Sequence, residues 1–514
     1  MNKIIKNRTK KLLILFVLLI SITSVTILLI NKITQNSEKT ITVNFNDSNL
    51  EKIVREKLNK PFGNITSKNM LLITNLDCIP YKIKDLKGLN YAVNLEKLNL
   101  INSNINDLSP LASLVNLKSL YLGNLYTANL ASLSNLKNLQ ELYIGSTSVS
   151  NTADLCNLKK LRYLHINDAK LEDISHLSNL KFLQKLYISD SKIDNVNSLE
   201  ALTKLQILDI SNTNVSNLAP LSKLTDLNKL NICNTGTPNL IPLSNLKNLQ
   251  ELNISNTNIN SIKPLINLTK LQILDMSHTN TADLTPLTKL IHLKKLNINN
   301  TNTEDLTPLS NLKDLQELDI SNTKTKNITP LNNLTKLQVL NISHTNICNI
   351  NSLHKLVNLK KLNINYTKLD NIIPVRNLKN LRNLQAENIN TNDMSPITYL
   401  TNLNELNLSN NRIKDISFLW NIDWLTNLNL SNNMIKDITP IGALTKLEVL
   451  NLNNNKIDDI TPLVNNLRIG GFKRYLHKNA SIMISKNCLD ITKGSKTYKN
   501  IEELKNSHHI NVIY

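Results

Sequence analysis

The sequence predicts an α/β solenoid, a horseshoe-shaped array of stacked repeats with a parallel β-sheet on the concave side and short 3₁₀ turns on the convex side. Three observations predict it. A frame of the form L-x-x-L-x-[IL]-x-x-[TN] recurs every 22 residues. Its first leucine falls at Leu95 and returns at every step to Leu447, which makes seventeen units without an insertion or a deletion. One such unit is too short to bury a core by itself, so the period indicates stacking of neighbouring units.

We number the positions of each unit from its first leucine. Each part of the unit then predicts one structural element. The stretch L-x-x-L-x-[IL] predicts a short strand that pairs with the same stretch of the next unit. Thr or Asn at position nine, as in Thr213 and Asn411, predicts a side chain that hydrogen-bonds the backbone where the chain turns. Position thirteen is Asp, Asn or Ser in every unit, as tight turns favour. A hydroxyl followed by proline, as in Thr285-Pro286, predicts the start of a 3₁₀ turn.

The N-terminus predicts a membrane anchor. Residues 1–11 carry five positive charges, and the uncharged stretch 12–30 is long enough to cross a bilayer as a helix. We therefore expect residues 1–31 to form a cytoplasmic basic start and a transmembrane signal anchor, with the rest of the chain outside the cell. A cleaved signal peptide is the alternative, and the protein would then be secreted. Residues 32–39 form a short polar linker.

Two segments are predicted to cap the open ends of the repeat array. Residues 40–72 contain an amphipathic helix, for which Ser48 and Glu51 suggest a capping box and Pro61 suggests a stop. Residues 469–514 have strand, turn, helix and strand character and form the C-terminal cap. Between them, residues 73–468 hold the repeats, beginning with a degenerate repeat at 73–94. The unit 381–402 fits the frame worst, because Ala386 and Ile389 replace the usual strand Ile and polar turn residue, and we expect a bend there.

Charge and cysteine content exclude several classes of function. The net charge is +20, but the two termini hold much of it, and residues 40–468 have 44 Lys and Arg against 35 acidic residues. This mild bias, without basic blocks interleaved with aromatics, argues against nucleic-acid binding. The five cysteines lie at different repeat positions and are interpreted as free thiols, because disulfides need close Cα atoms. No metal-ligand spacing, nucleophile motif or phosphate loop is present, so no metal, no cofactor and no enzymatic activity are predicted.

The repeat resembles a known family. The 22-residue unit with D-[IL]-[ST]-P-L, and the entry segment NFNDSNLEKIVREKLNKPFGNIT, are similar to the internalin-like leucine-rich repeats of bacterial surface proteins. The resemblance covers nearly everything from residue 44 onward. It implies a curved array on the cell surface that binds macromolecular partners through its concave strand face. The sequence departs from wall-linked members because no Leu-Pro-x-Thr-Gly tail follows the repeats, so the N-terminal helix would be the anchor.

The candidate binding site lies at the outward-facing strand positions three, five and seven. Adjacent strands bring equal positions about 5 Å apart, so aromatic residues there should form a ladder of the kind found in binding hot spots. The alternative is that these rings only pack against each other. Lys and Glu that alternate at position three, beginning with Lys229 and Glu251, are expected to neutralise each other. The candidate binding residues are Tyr121, Tyr143, Tyr163, His165, Tyr187 and Asp209.

The sequence thus predicts a membrane-anchored, extracellular, monomeric leucine-rich repeat protein that mediates protein–protein interaction or adhesion through its concave face. Two alternatives remain open. One is a structural surface spacer without a defined ligand, and the other is an intracellular regulator of enzymes. The apolar stretch 12–30 argues against the second, because a cytosolic protein has no need of it. The partner itself is not encoded in any recognisable motif.

Overall fold

The computed structural model describes residues 40–123, 129–145, 148–167, 170–468, 480–508 and 510–514. The chain divides into two compact units, residues 1–169 and 170–514. The predicted basic start, membrane segment 12–30 and linker lie outside the described residues. Among the described residues, no helix is long and apolar enough to cross a membrane.

The first unit is a helical entry followed by a parallel sheet in which each strand pairs with its neighbour at a spacing of 22 residues, as Leu98 does with Leu120. Helix α1 packs against β1 and buries Leu50 and Val54. The α-helices and strands are α1 Ser48–Leu58, α2 Ser67–Met70, β1 Asn75–Asp77, β2 Lys97–Leu100, β3 Ser119–Gly123, β4 Glu141–Gly145 and β5 Tyr163–His165. The 3₁₀ turns are Leu89–Tyr91, Ser109–Ser113, Ala131–Leu133 and Ala153–Leu155.

The predicted capping box of α1 is wrong. The N-cap residue is Asp47, whose Oδ1 accepts hydrogen bonds from the backbone N–H groups of Asn49 and Leu50 at 2.9 and 3.0 Å. Its other oxygen accepts from the N–H of Lys84 at 2.6 Å, so the same carboxylate also holds the helix to the degenerate repeat. Glu51 is therefore not needed at the cap, and it pairs instead with Arg55 at 2.7 Å.

The second unit continues the same repeat, and its described strands pair in parallel from β6 to β20. Its strands are β6 Lys185–Tyr187, β7 Ile207–Asp209, β8 Lys229–Asn231, β9 Glu251–Asn253, β10 Ile273–Asp275, β11 Lys295–Asn297, β12 Glu317–Asp319, β13 Val339–Asn341, β14 Lys361–Asn363, β15 Asn383–Gln385, β16 Glu405–Asn407, β17 Asn427–Asn429, β18 Val449–Asn451, β19 Ser481–Met483 and β20 Asn511–Ile513. The α-helices are α3 Thr461–Arg468 and α4 Lys496–His508.

The connections of the second unit contain the predicted 3₁₀ turns. They are Ser175–Asn179, Asn197–Ala201, Ala219–Lys223, Ile241–Leu243, Lys263–Asn267, Thr285–Lys289, Thr307–Leu309, Thr329–Asn333, Asn351–Lys355, Ile373–Asn377, Ser395–Tyr399, Ser417–Asn421 and Thr439–Ala443. Position thirteen prepares each turn. In one example, Asp305 Oδ1 accepts from the Thr307 hydroxyl at 2.6 Å and from the Thr307 N–H at 2.8 Å. The hydroxyl bond first, and then the N–H bond, hold the pKa of Asp305 below its ordinary value. The parallel strands and 3₁₀ turns confirm the predicted solenoid class.

Where position nine is a described threonine or asparagine, it stabilises the turn after the strand in one of two ways. A threonine bonds within its own repeat, as Thr213 Oγ1 does when it donates to the Ile210 carbonyl at 2.7 Å. An asparagine also reaches the preceding repeat, because Asn433 Nδ2 donates to the carbonyls of both Leu430 and Leu408 at 2.9 Å. The asparagine pattern continues into the C-terminal segment, where Asn487 bonds the Leu452 carbonyl at 3.0 Å.

The C-terminal segment is joined to the last full repeat by side chains as well as strands. Lys496 Nζ lies 2.8 Å from Asp459 Oδ2, and together with bonds from Thr461 it lowers the pKa of Asp459 to about 2. The five cysteines are free, as predicted, and burial raises the pKa of the Cys78 thiol to about 12. The bend predicted near Ala386 stays a prediction.

Candidate functional site

The candidate site is the sheet face, by which we mean the side chains at positions three, five and seven of the repeats. Strand geometry produces it, because successive residues of a strand point to opposite sides. In β5, for example, Leu164 is fully buried while Tyr163 and His165 on either side of it are only half-buried. The leucines are thus committed to the core, and their neighbours are available to a ligand.

The sheet face of the first unit begins with a hydrogen-bonded tyrosine. Tyr121 Oη donates to Glu141 Oε2 at 2.5 Å, and Ser119 Oγ donates to the same oxygen at 3.0 Å. Lys97 Nζ lies 5.6 Å from the centre of the Tyr121 ring, within the range of a cation–π contact. Burial first, and then the neighbouring Glu141, raises the pKa of Tyr121 to about 12. The hydrogen bond to Glu141 and the contact with Lys97 hold the ring in place.

Three further rings continue the row. The rings of Tyr143 and His165 stack with centres 4.2 Å apart and planes at 28°. The Tyr163 ring lies 6.4 Å from that of His165, and Tyr163 Oη is 3.4 Å from His165 Nδ1. The structure thus brings Tyr143, Tyr163 and His165 together, as the 22-residue register predicts. We call these three rings and Tyr121 the aromatic row.

A glycine makes room for one ring of the aromatic row. A Cβ atom added at Gly145 would lie 2.7 Å from Tyr143 Oη, which means that the tyrosine leans along its own strand over the glycine. Gly123 occupies the equivalent place in β3, but there the nearest heavy atom is 3.6 Å from an added Cβ. The position of the Tyr143 ring therefore requires a glycine at 145, whereas no ring requires a glycine at 123.

A charged pocket lies at the start of the same unit. It has a volume of about 470 Å³ and is lined by α1 and the first two strands. Glu56 and Lys57 contribute from the helix, while Asp77 and Lys97 contribute from the sheet. Because Lys97 also covers the Tyr121 ring, it connects this pocket to the aromatic row.

The remaining two predicted residues, Tyr187 and Asp209, belong to the second unit and face each other across β6 and β7. Burial and the charge of Asp209 raise the pKa of Tyr187. Asp209 itself is engaged in the fold, because its Oδ1 accepts from both the N–H and the hydroxyl of Ser211 at 3.0 and 2.6 Å. Its second oxygen accepts from Asn231 Nδ2 at 3.1 Å.

The bonding of Asp209 is the rule at position five in the second unit. There the side-chain oxygen accepts a hydrogen bond from the backbone N–H two residues later. We call this the position-five bond, and the strand ends at it. Gln385, in the irregular repeat, is the exception among β7 to β18. The bond is made by Asp209, Asn231, Asn253, Asp275, Asn297, Asp319, Asn341, Asn363, Asn407, Asn429 and Asn451.

At position three of the second unit, two lysines pair with the glutamate of the next strand. Lys229 and Glu251 form an ion pair of 2.7 Å, and Lys295 and Glu317 form one of 2.8 Å. This confirms the predicted mutual neutralisation. Such exposed pairs contribute little stability, but they leave few uncompensated charges for a ligand.

Sequence reasoning missed three residues that contact the aromatic row, namely Lys97, Glu141 and Gly145. The register would have found Glu141, because position three of β4 lies beside Ser119 and Tyr163. Within the described part of the chain, no group of three or more His, Cys, Asp or Glu side chains could hold a metal ion.

Comparisons with known proteins agree on the repeat class. Family profiles described as "Leucine Rich repeats (2 copies)" and "Leucine-rich repeat region" match residues 423–465 and 252–407. A leucine-rich repeat protein of Leptospira interrogans is 22% identical, with a TM-score of 0.62 over 80% of this chain and 100% of that one. Among curated proteins, none matches the chain.

Two further solved structures share the fold. The functional domain of InlJ from Listeria monocytogenes is 20% identical, with a TM-score of 0.52 over 87% of this chain and 82% of that one. The plant peptide hormone receptor RGFR1, solved in complex with RGF2, is 18% identical, with a TM-score of 0.56 over 83% and 79%. At such identities the likeness concerns the fold alone.

Proposed function

We propose that this chain, a leucine-rich repeat protein of the internalin-like class, binds a protein partner through the aromatic row of its first unit. The ligand surface comprises Tyr121, Tyr143, Tyr163 and His165, with Lys97 and Glu141 at its edge. The proposal extends the predicted site by these charged residues. It does not require Asp209, which ends its own strand.

The observation that carries the proposal is the use of position five. Asn99 and most residues at this position in the second unit end their strands through a side-chain oxygen. In β3, β4, β5 and β6 an aromatic residue, namely Tyr121, Tyr143, His165 and Tyr187, takes the place of that Asp or Asn. Residues that break the rule of their own fold mark functional positions.

The chemistry of the row suits a protein surface. Tyrosine supplies a large, rigid contact area with few rotatable bonds and a polar tip, which is why it is enriched in binding hot spots. The stack of Tyr143 on His165 and the bond of Tyr121 to Glu141 hold the rings in place before binding, which lowers the entropic cost of association. RGFR1, which has the same fold, is bound to RGF2 in its structure, and this supports a peptide or protein ligand here.

The proposed location is the outer surface of the cell. It rests on the sequence, in which the basic residues 1–11 precede the apolar stretch 12–30. The proposed organisation assigns residues 40–72 and 469–514 to caps and residues 73–468 to the repeats. The repeat scaffold supports binding rather than catalysis, so the proposal includes no enzymatic step.

The test begins with capture of a partner by the immobilised full-length chain and its identification by mass spectrometry. The dissociation constant of the purified pair is then measured with a Tyr143→Ala, Tyr163→Ala double variant. Loss of two hot-spot rings should weaken binding about 30-fold or more, since each accounts for more than about 1 kcal/mol. The matched control is Lys295→Ala, Glu317→Ala, which removes an ion pair from the sheet face of the second unit. Equal weakening by both double variants contradicts the assignment.

A structural spacer is the second candidate, and one observation favours it for part of the chain. The sheet face of the second unit satisfies its own charges and amides, as at Lys229–Glu251 and Asn231–Asp209. A spacer requires length and solubility but no specific ligand. If the full chain captures no partner that binds directly after purification, the spacer reading stands and the aromatic row is a packing feature.

A further inference from the structure

Position eight of the repeat requires an unusual backbone conformation. Its residues lie in the left-handed region, with φ between 52° and 69° for the described repeats from Asn102 to Asn454. Asn and Asp tolerate this region better than other non-glycine residues, and they occupy most of these places. Adjacent members bond each other, as Asn234 Nδ2 does when it donates to Asn212 Oδ1 at 3.0 Å. The row of position-eight side chains forms a ridge along the turns, separate from the sheet face.

Two aromatic side chains interrupt this ridge at neighbouring repeats. His344 and Tyr366 both have φ of 55°, and their rings stack with centres 4.5 Å apart and planes at 13°. Tyr366 is exposed over 41% of its surface. A bulky residue in the left-handed region is strained, and strain of this kind is retained where the side chain has another use.

A carboxylate fixes the tyrosine from the next repeat. Tyr366 Oη donates to Glu387 Oε1 at 2.7 Å, and Asn410 Nδ2 donates to the same oxygen at 2.8 Å. The hydrogen bond to Glu387 is the main reason that the pKa of Tyr366 is raised. Position seven is Ser or Asn in most of the other repeats of this unit, so Glu387 is specific to this place. Three successive repeats therefore cooperate to orient one ring.

The irregular repeat opens a groove beside that ring. Its position-nine residue Ile389 is fully buried, and its N–H donates to Asn411 Oδ1 at 2.9 Å. Thr391, at position eleven, is only half-buried, whereas Leu369 and Ile413 at the same position are at most 1% exposed. In this repeat the apolar side chain that packs in the core is therefore at position nine instead of position eleven. The turn that contains Thr391 lies outside the core.

The groove has a volume of about 440 Å³ and is bounded by the turns of three repeats. Most of its lining is polar. The residues that matter for recognition are Tyr366, Lys368, Asn388, Asn390, Asn410 and Arg412.

Two cations in the groove have no acidic partner. Among the described residues, no carboxylate oxygen lies within 4.0 Å of the Lys368 ammonium or the Arg412 guanidinium. Arg412 also holds a left-handed backbone, with φ of 58°. These two cations outnumber the one carboxylate, Glu387, that bonds the groove residues Tyr366 and Asn410. The groove therefore attracts an anion.

We propose that this groove binds an acidic saccharide, that is, a sugar unit bearing a carboxylate. The exposed Tyr366 ring offers a platform for the apolar face of a sugar ring. Side-chain amides of Asn388, Asn390 and Asn410 both donate and accept hydrogen bonds, which matches neighbouring hydroxyl groups. Lys368 and Arg412 receive the carboxylate, the guanidinium through paired donors. A peptide fits less well, because the groove lacks the apolar pockets in which peptide side chains anchor.

The site is independent of the proposed protein-binding surface. It belongs to the second unit and to its turns, whereas the aromatic row lies on the strands of the first unit. A variant of the groove should therefore leave binding of a protein partner by the aromatic row unchanged, and the Tyr143→Ala, Tyr163→Ala variant should leave saccharide binding unchanged.

The test uses the full-length chain and a panel of probes. The acidic probes are a hyaluronan tetrasaccharide, tetragalacturonate and 3′-sialyllactose, and the neutral ones are chitotetraose and lactose. The variants Tyr366→Asn and Arg412→Asn install residues that other repeats carry at positions eight and ten, so both should fold. The matched controls are His278→Asn at position eight and Lys324→Asn at position ten, both in repeats outside the groove.

We expect at least one acidic probe to bind more tightly than the neutral probes by tenfold or more in calorimetry. Each groove variant should weaken that binding about tenfold or more, which is the usual effect of losing a hot-spot contact. Each control should change it less than twofold. The proposal is overturned if no acidic probe binds, if the controls weaken binding as much as the groove variants, or if a hexaglutamate peptide binds as tightly as the best saccharide.

Discussion

The sheet face of β3 to β5 and the sheet face of β7 to β14 are made by the same repeat but use it differently. In the second group, position five ends each strand through its side-chain oxygen, and position three forms ion pairs such as Lys295–Glu317. In the first group, tyrosine and histidine take position five, and their rings stack on each other. The comparison shows that one strand position can either end the strand through its side chain or present a ring on the sheet face.

The two uses exclude each other for a physical reason. A side-chain amide or carboxylate that accepts from the backbone two residues later points along its own strand and is committed there. β3 and β4, which carry Tyr121 and Tyr143 at this position, continue to Gly123 and Gly145 and pair over five residues. β5 and β6, which carry His165 and Tyr187, end after three residues. Each position-five bond contributes about 0.5–1.5 kcal/mol net. If the aromatic row binds a partner as proposed, stability and recognition compete at single positions.

The largest effect is expected when position-five bonds are removed from the second unit. Asp275→Ala with Asp319→Ala deletes the acceptors of Ser277 and Ser321, each bonded through both backbone and hydroxyl. The free energy of unfolding should fall by about 2–4 kcal/mol, because several bonds of roughly 1 kcal/mol are lost. Urea titration measures it. The control Asp275→Asn, Asp319→Asn keeps the accepting oxygens and should lose less than half as much; equal losses would show that charge, and not the bond, is what matters.

A smaller effect of opposite sign is expected when a ring is replaced by the residue that the second unit uses. Tyr143→Asn allows the new side chain to accept from the Gly145 N–H. The free energy of unfolding should stay constant or rise by up to about 1 kcal/mol, while affinity for the protein partner falls about tenfold. The same urea titration and a binding isotherm check the two parts. A loss of stability above about 1 kcal/mol would mean that the ring belongs to the packing of the sheet.

The smallest effect concerns the glycine under the ring. In Gly145→Ala the new methyl group would meet Tyr143 Oη at 2.7 Å, so the ring must turn away from its stack on His165. Partner affinity should fall about threefold, or about 0.7 kcal/mol. Gly123→Ala is the matched control, because its nearest contact is 3.6 Å, and it should leave affinity unchanged and raise stability by up to about 1 kcal/mol. Identical affinities for both variants would show that Tyr143 need not lie where it does.

The sequence was sufficient for the repeat frame, because period and register are encoded redundantly in seventeen units. The sequence was insufficient where two neighbouring residues could take the same structural role. Asp47 and Ser48 can both cap α1, and the choice follows from the contact of Asp47 with the Lys84 N–H, which is distant in sequence. The aromatic row was predictable from spacing alone. The roles of Glu141 and Gly145 were not, because they depend on which way the Tyr121 and Tyr143 side chains point.

The groove beside Tyr366 illustrates a signal that was present but not interpreted. The unit 381–402 fits the frame poorly, and we interpreted Ala386 and Ile389 only as the cause of a bend. Position eight carried the missing information, since a place occupied mainly by asparagine indicates a left-handed backbone. Histidine also occupies this position at His278 and His344, so Tyr366 is the exception that needs a reason. Its proximity to a repeat whose core is filled two residues early could be seen only in three dimensions.

The two kinds of position-nine bond have a consequence for how such a chain can change over generations. A threonine such as Thr213 bonds only within its own repeat, so a threonine unit can be copied or deleted whole, and its neighbours find the same partners at the new junction. An asparagine such as Asn433 bonds the backbone carbonyl of Leu408 in the unit before it. Every unit offers such a carbonyl, and Asn411 bonds that of Ala386 even in the irregular repeat. Recombination in steps of 22 residues should therefore be tolerated among the asparagine repeats as well, because each finds its acceptor at a new junction.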